Sequence, residues 1–235
     1  MAQEKKVAIV TAGGGGIGRA IALELHDRGY DLALMSRSEM CEKTAAEVGG
    51  LGIRGSVTEA QDLSRLVEAT MARFGRIDSV VCHTAHPPKG GLLDIEDEAW
   101  HLGLDMLILN VVRLARKITP IMEAQGGGTW VNISTFAAFE PEQALPVSCT
   151  LRAGLSAFAK LYADRYAGLN IRMNNVLPGF IDSLTHSDTV LSRIPMGRIG
   201  TVDEIAKTTA FLLSDDSGYM TGQNLIVDGG ITRHL

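Results

Sequence analysis

The chain has 235 residues, 46% of them hydrophobic and 21% charged, with a formal net charge of −5. That length suits one large α/β domain with a well-buried core, and the acidic balance argues against nucleic acid or an anionic membrane surface as a partner. Met1 to Lys6 lack the apolar stretch of a signal peptide, no apolar run approaches a membrane-spanning length, and Cys41, Cys82 and Cys149 offer no metal spacing, so a cytoplasmic protein with free thiols and no metal is expected.

In chain order, 7–12 reads as a buried strand and 17–28 as an amphipathic helix closed by Gly29. Strand 31–36, helix 38–48, strand 51–55 and helix 60–74 follow. Strand 79–83 then leads into a long helix at 98–125. Strand 129–134, helix 151–166, strand 171–177, helix 202–213 and strand 225–227 complete the series. Asp62 and Asp203 suit the first turns of their helices, where a carboxylate meets the positive end of the dipole.

Apolar strands alternating with helices imply a parallel sheet covered on both faces. The expected fold class is therefore α/β: a single-domain Rossmann fold with a doubly wound, seven-stranded parallel sheet. No repeat or linker divides residues 1–235. In such sheets ligands bind beyond the C-terminal strand ends. That rule gathers the loops at 13–18, 37, 56–57, 83–88, 134–138 and 178–183.

The most telling stretch is Thr11-Ala12-Gly13-Gly14-Gly15-Gly16-Ile17-Gly18, between the first strand and the first helix. Glycines there let the backbone turn sharply and come close to a diphosphate, which the helix N-terminus then holds. A flexible loop without ligand is the bland alternative. After the second strand an NAD site usually has a carboxylate for the ribose hydroxyls. Here Ser36-Arg37 follows, and Arg37 suits a 2′-phosphate, which favours NADP(H) over NAD(H). A solvated arginine is the alternative.

Thr11–Gly18, Val131-Asn132-Ile133-Ser134-Thr135, Asn175 to Ser183, Ile194-Pro195-Met196-Gly197-Arg198 and Val227-Asp228-Gly229-Gly230 occur in this order. Together they resemble the motifs of the short-chain dehydrogenase/reductase family, in particular its 3-oxoacyl-carrier-protein-reductase-like members, over essentially the whole chain. The resemblance implies hydride transfer between a nicotinamide and a carbonyl or alcohol. It also implies a homo-oligomer, dimer or tetramer, and a substrate lid at 184–200. In the family a Tyr-x-x-x-Lys pair, a serine and a helix asparagine do the chemistry. At the matching positions this chain has Ser148, Arg152, Thr135 and Leu107, and no Tyr-x-x-x-Lys occurs anywhere in it. Asn110 is a displaced copy of the asparagine only if the helix register shifts. By the same resemblance the coenzyme would meet Ala12, Gly14, Gly15, Ile17, Arg37, Ser56, Val57, His83, Thr84, Arg152 and Ile181.

A serine hydroxyl is a far weaker acid than a tuned tyrosine, and a guanidinium keeps its proton. Two readings follow. In one, the protein is an oxidoreductase with an atypical Thr135/Ser148/Arg152 centre, and His83 or His86 supplies the proton unless both are merely packed or solvated. In the other, the nucleotide site survives without turnover, as in a regulatory subunit. Cys149 either lines the pocket or is an inert core thiol. Tyr162 is expected in the core or at a subunit contact. The loop 86–91 and the lid should border the pocket for a small-molecule substrate, polar or anionic if the ionisable lid residues face it.

Overall fold

The computed structural model describes residues 5–233; residues 1–4, which hold most of the segment read against a signal peptide, lie outside the described residues. Seven strands form one parallel sheet: β1 (Val7–Thr11), β2 (Asp31–Ser36), β3 (Leu51–Arg54), β4 (Ser79–Cys82), β5 (Gly128–Ile133), β6 (Ile171–Pro178) and β7 (Asn224–Val227). Their spatial order is β3-β2-β1-β4-β5-β6-β7. β1 and β4 are buried along their whole length, which is why both are apolar runs rather than alternations.

The helices are α1 (Gly16–Asp27), α2 (Met40–Glu47), α3 (Ala60–Phe74), α4 (Asp97–Leu104), α5 (Asn110–Gln125), α6 (Pro146–Tyr166), α7 (Asp188–Leu191) and α8 (Val202–Leu213). One core forms where α1 and α8 bring Ile21, Leu25, Ile205 and Leu212 to the sheet. A second forms where α3, α5 and α6 bring Leu63, Leu66, Leu114, Ile118 and Leu155, and a small third one holds Phe136, Cys149, Ile194 and Ile231. Tyr162 belongs to this second core: its hydroxyl is 2.7 Å from Thr119 Oγ1 and its ring meets Trp130 edge-on. Gly29 follows α1 with φ +86°, the left-handed conformation a glycine adopts freely after a helix. Thr201 and Glu204 form a capping box that starts α8.

Two helix expectations change. The long helix read at 98–125 is α4, a π-helical stretch at Asp105–Leu109, then α5. The register shift entertained for Asn110 therefore exists, but the Asn110 amide turns back to donate to Met106 O rather than into a pocket. Leu107 is buried. The helix read from 151 begins instead at Pro146, whose ring suits the first helical turn and whose missing N–H leaves no bond unmade there. That earlier start puts residue 148 on the helix.

The polar residues in β5 to β7 also have a structural reason. Asn132 pairs in register with Asn175, and Asn175 with Asn224. Asn132 Nδ2 donates to Asn175 Oδ1 at 2.8 Å, and Asn175 Nδ2 to Asn224 Oδ1 at 2.7 Å. A buried amide ladder of this kind stabilises one strand register, because a slip would leave each amide unpaired.

Candidate functional site

Strand order reverses beside β1, with β2 on one side and β4 on the other. The chain leaving β1 must turn at once to lay α1 over the sheet. Ala12 (φ +51°) and Gly16 (φ +48°) make the left-handed turns, and Gly13 N donates to Met35 O at 3.1 Å. A Cβ at Gly14 would lie 2.8 Å from both Cys41 N and Ser36 Oγ, whereas Gly15 faces open space. Gly14 thus lets the loop approach α2, and Gly15 leaves bare backbone beside a cavity of about 470 Å³. α1 has neither a side-chain cap nor an acidic residue in its first turn, so its first N–H groups remain free for an anion. The cavity runs from Ala12 and Gly14 past Arg37 to Ser56 and Val57. Arg37 is exposed and forms no ion pair among the described residues.

A second cavity of about 540 Å³ continues the first, sharing Gly15, Thr84 and Ala85 with it. Ser148 and Arg152, one helical turn apart on α6, both line it. Arg152 is only 5% exposed. Its Nη1 donates to Ile133 O at 2.7 Å, and its Nε has no partner. No carboxylate pairs with it among the described residues. Burial lowers its pKa to about 10, which leaves it cationic at neutral pH. Ser148 is buried, and its hydroxyl makes no hydrogen bond among the described residues. Thr135 Oγ1 accepts from Ala137 N at 3.4 Å, which leaves its own proton free to donate.

His83 follows β4, its backbone clamped by Thr11: His83 N donates to Thr11 Oγ1 at 2.8 Å, and that hydroxyl donates to His83 O at 2.7 Å. Burial pushes the imidazole pKa down to about 3, with the charge of Arg152 and then His86 adding to it. His83 is therefore neutral near pH 7, which removes one of the two imidazole acids expected from the sequence, His86 being the other. His86 is also lowered, by burial first and then by Lys89 and Arg152. Cys149 turns away from the cavity: its thiol lies 3.4 Å from Glu142 N and 3.7 Å from Glu142 O.

A family model described as Enoyl-(Acyl carrier protein) reductase matches residues 11–232. A dehydrogenase/reductase SDR family member 4 from Oryctolagus cuniculus is 32% identical, over 98% of this chain and 95% of that protein. A 3-oxoacyl-acyl-carrier-protein reductase from Haemophilus influenzae is 34% identical, over 96% of this chain and 98% of that protein. The chain belongs to the short-chain dehydrogenase/reductase family. The crystal structure of L-sorbose reductase from Gluconobacter frateurii, complexed with NADPH and L-sorbose, has the same fold. It matches with a TM-score of 0.92 at 27% identity, over 100% of this chain and 99% of that one.

Within this short-chain dehydrogenase/reductase, every coenzyme and catalytic candidate named from the sequence borders one of the two cavities. Ile181 lies in the second, 6% exposed, at an isolated bridge to Gly200. Two residues without an individual role in the sequence reading line the same cavity: Ser134, in the expected ligand loop 134–138, and His186, in the expected lid 184–200. Ser134, just past β5, has a buried hydroxyl without a partner. His186 sets Nε2 2.7 Å from Ile181 O and its ring edge-on to Phe180. Ser134 was within reach, since it directly precedes Thr135 at a strand end. The lid expectation covers His186 as part of 184–200, but its contact with Ile181 O comes only from tertiary folding.

Proposed function

We propose that this chain is an NADP(H)-dependent oxidoreductase acting between a carbonyl and an alcohol, with Thr135, Ser148 and Arg152 as an atypical centre. The observation that carries this reading is Arg152: a buried, unpaired cation with an unused Nε, facing a cavity continuous with the glycine-loop trough. Burying such a charge costs several kcal/mol. A site that binds hydroxyls or stabilises negative charge gives a reason to bear that cost; a structural arginine does not.

The residues present fit the coenzyme. Gly15 has open space where a Cβ would stand, α1 has free N–H groups, and Arg37 is an unpaired cation at the far end of the trough. Gly14, Gly15, Ile17 and Arg37 would hold the adenosine-phosphate half. Ser56 and Val57 would border the adenine, Thr84 and His83 the ribose side, and Ile181 the nicotinamide amide. Ala12 makes the turn that presents the loop. When bound, the coenzyme supplies or accepts the hydride.

The chain's own part is electrostatic. As the substrate oxygen gains charge, the Ser148 hydroxyl donates to it and Thr135 orients it. Arg152 stabilises the developing charge from a water-poor wall, where the interaction is much stronger than in bulk water. Neutral His83 offers a ring nitrogen to orient, not a proton to release, so the proton reaches the oxygen from water.

The same reading takes residues 1–235 as one oxidoreductase domain, 184–200 as its lid, and the molecule as a cytoplasmic homo-oligomer. A second reading, nucleotide binding without turnover, draws on one observation: His83, beside Arg152, is held far below neutrality and so provides no imidazolium acid there. Fluorescence titration with NADPH and NADH, then a carbonyl panel, separates the two. Turnover that falls about 100-fold in Ser148→Ala, the scale of one lost oxyanion donor, supports the centre named here. NADPH binding without any carbonyl-dependent oxidation supports the second reading. No binding of either nucleotide at millimolar concentration overturns both.

A further inference from the structure

We infer that the second cavity selects an anionic substrate, a small oxo or hydroxy acid whose carboxylate is held by Lys89. This names the substrate class of the site proposed above and rests on that cavity being the substrate site.

The chain carries 27 acidic residues against 22 basic ones, yet no Asp or Glu lines this cavity. Its charged residues are Lys89, on the loop after β4, and Arg152, on α6. Neither has an ion-pair partner among the described residues. The charges of Lys89 and Arg152 are both felt at His86.

Nearby carboxylates are engaged elsewhere. Asp182 accepts from Val202 N at 2.9 Å. Glu142 pairs with Arg193, and Asp228 accepts from Gly230 N and Thr232 N at 2.8 Å each. The cavity therefore presents two cations with no internal counter-charge. Its buried polar atoms without a partner among the described residues are Arg152 Nε, a donor, Ser134 Oγ, which can donate or accept, and His83 Nδ1.

The coenzyme's own anions do not account for this. A 2′-phosphate at Arg37 would sit in the other cavity, and a diphosphate at the start of α1 would lie where the two cavities meet, beside Gly15, Gly16 and Ile17. Lys89 has no part in either. A carboxylate entering beside Lys89 would gain Coulomb attraction from two cations, whereas a neutral isostere would gain none. Arg152 would then keep its role at the reacting oxygen while Lys89 sets the acid's position.

Ligand-observed saturation-transfer NMR on the full chain tests this with pyruvate, levulinate and their methyl esters, which keep the oxo-acyl skeleton and lose the charge. With NADPH saturating, each acid is expected to bind at least tenfold more tightly than its ester. The preference should drop below threefold in Lys89→Gln and shrink in 0.5 M NaCl, with the thermal midpoint of the variant unchanged. Esters that bind as tightly as the acids overturn the inference. So does a preference that survives Lys89→Gln, or acid binding that NADPH abolishes, since the acids would then be occupying the coenzyme's place. Should NADPH itself fail to bind while the acids keep a Lys89-dependent preference, the coenzyme reading falls and the anion site stands.

Discussion

Arg152→Met asks whether the buried cation serves the site or the fold. The guanidinium is 5% exposed and has no carboxylate beside it. Burial takes its pKa from 12.5 to about 10. At about 1.4 kcal/mol per pH unit, that difference sets about 3 kcal/mol against the charge in the folded chain. Methionine replaces the stem with a flexible apolar chain that fills irregular space. Losing the bond to Ile133 O takes back about 1 kcal/mol. The empty protein should therefore gain about 2 kcal/mol, or about 4–8 °C in Tm for a chain of this size. NADPH should bind at least about tenfold more weakly, equivalent to about 1.4 kcal/mol. Calorimetry with and without NADPH, beside urea melts that check for an unchanged slope, reads both effects. A variant that melts several degrees lower while binding NADPH as before would show that Arg152 is a structural residue and refute the argument.

Arg37→Ala should weaken NADPH about tenfold and leave NADH within twofold, because only the 2′-phosphate offers the guanidinium a charged partner; equal losses for both nucleotides in a fluorescence titration would remove Arg37 from that role. The folded-state pKa of His83 is about 3 and its unfolded value about 6.5, so the unfolded chain binds more protons between those limits. The stability linked to neutral His83 is complete above pH 6.5 and lost as pH falls towards 3, by at most about 1.4 kcal/mol per pH unit. Urea melts at pH 7, 5.5 and 4.5 should show a shallower decline in His83→Gln; parallel declines would contradict the assignment. Ala12→Gly relieves a side chain held at φ +51° and should stabilise the chain by about 1 kcal/mol, since the left-handed cost of about 1–2 kcal/mol outweighs the extra unfolded-state entropy of glycine; a lower urea midpoint would count against it.

The fold was legible because local and tertiary demands agree. β1 and β4 are apolar since both their faces are covered, and Gly29 follows α1 where the chain must reverse. Where reading fell short, a local signal competed with a tertiary one. Pro146 looks like a breaker but is a first-turn residue, so α6 was started five residues late. The π-helical stretch at Asp105–Leu109 is hidden in the sequence because Met106-Leu107-Ile108-Leu109 are apolar at every position, so the pattern does not show which turn holds the extra residue. The amide ladder from Asn132 through Asn175 to Asn224 joins residues far apart in sequence, and only the strand order brings them into one row. At the site, the family resemblance was enough to single out Ser148 and Arg152, while only the earlier start of α6 puts them one turn apart on it. The resemblance carried no information about burial, which is what makes Arg152 unusual.

His83 and Arg152 show why burial matters more than identity here. Read as residue types, a histidine beside an arginine suggests a proton donor next to a fixed cation. In the folded chain the two compete. Dehydration alone already disfavours the imidazolium, and the guanidinium charge adds to that penalty. One cavity wall can hold one of these charges cheaply but not both, and the group with the higher intrinsic pKa keeps its proton. His83 is thereby unsuited to releasing a proton near neutrality, while the wall at Arg152 favours negative charge. On the proposed reading, in which water delivers the proton, that delivery limits turnover. Restoring an acid at residue 148 without removing the charge at 152 should raise the rate, because a phenol beside a cation is lowered towards neutrality while an imidazole beside the same cation is pushed away from it.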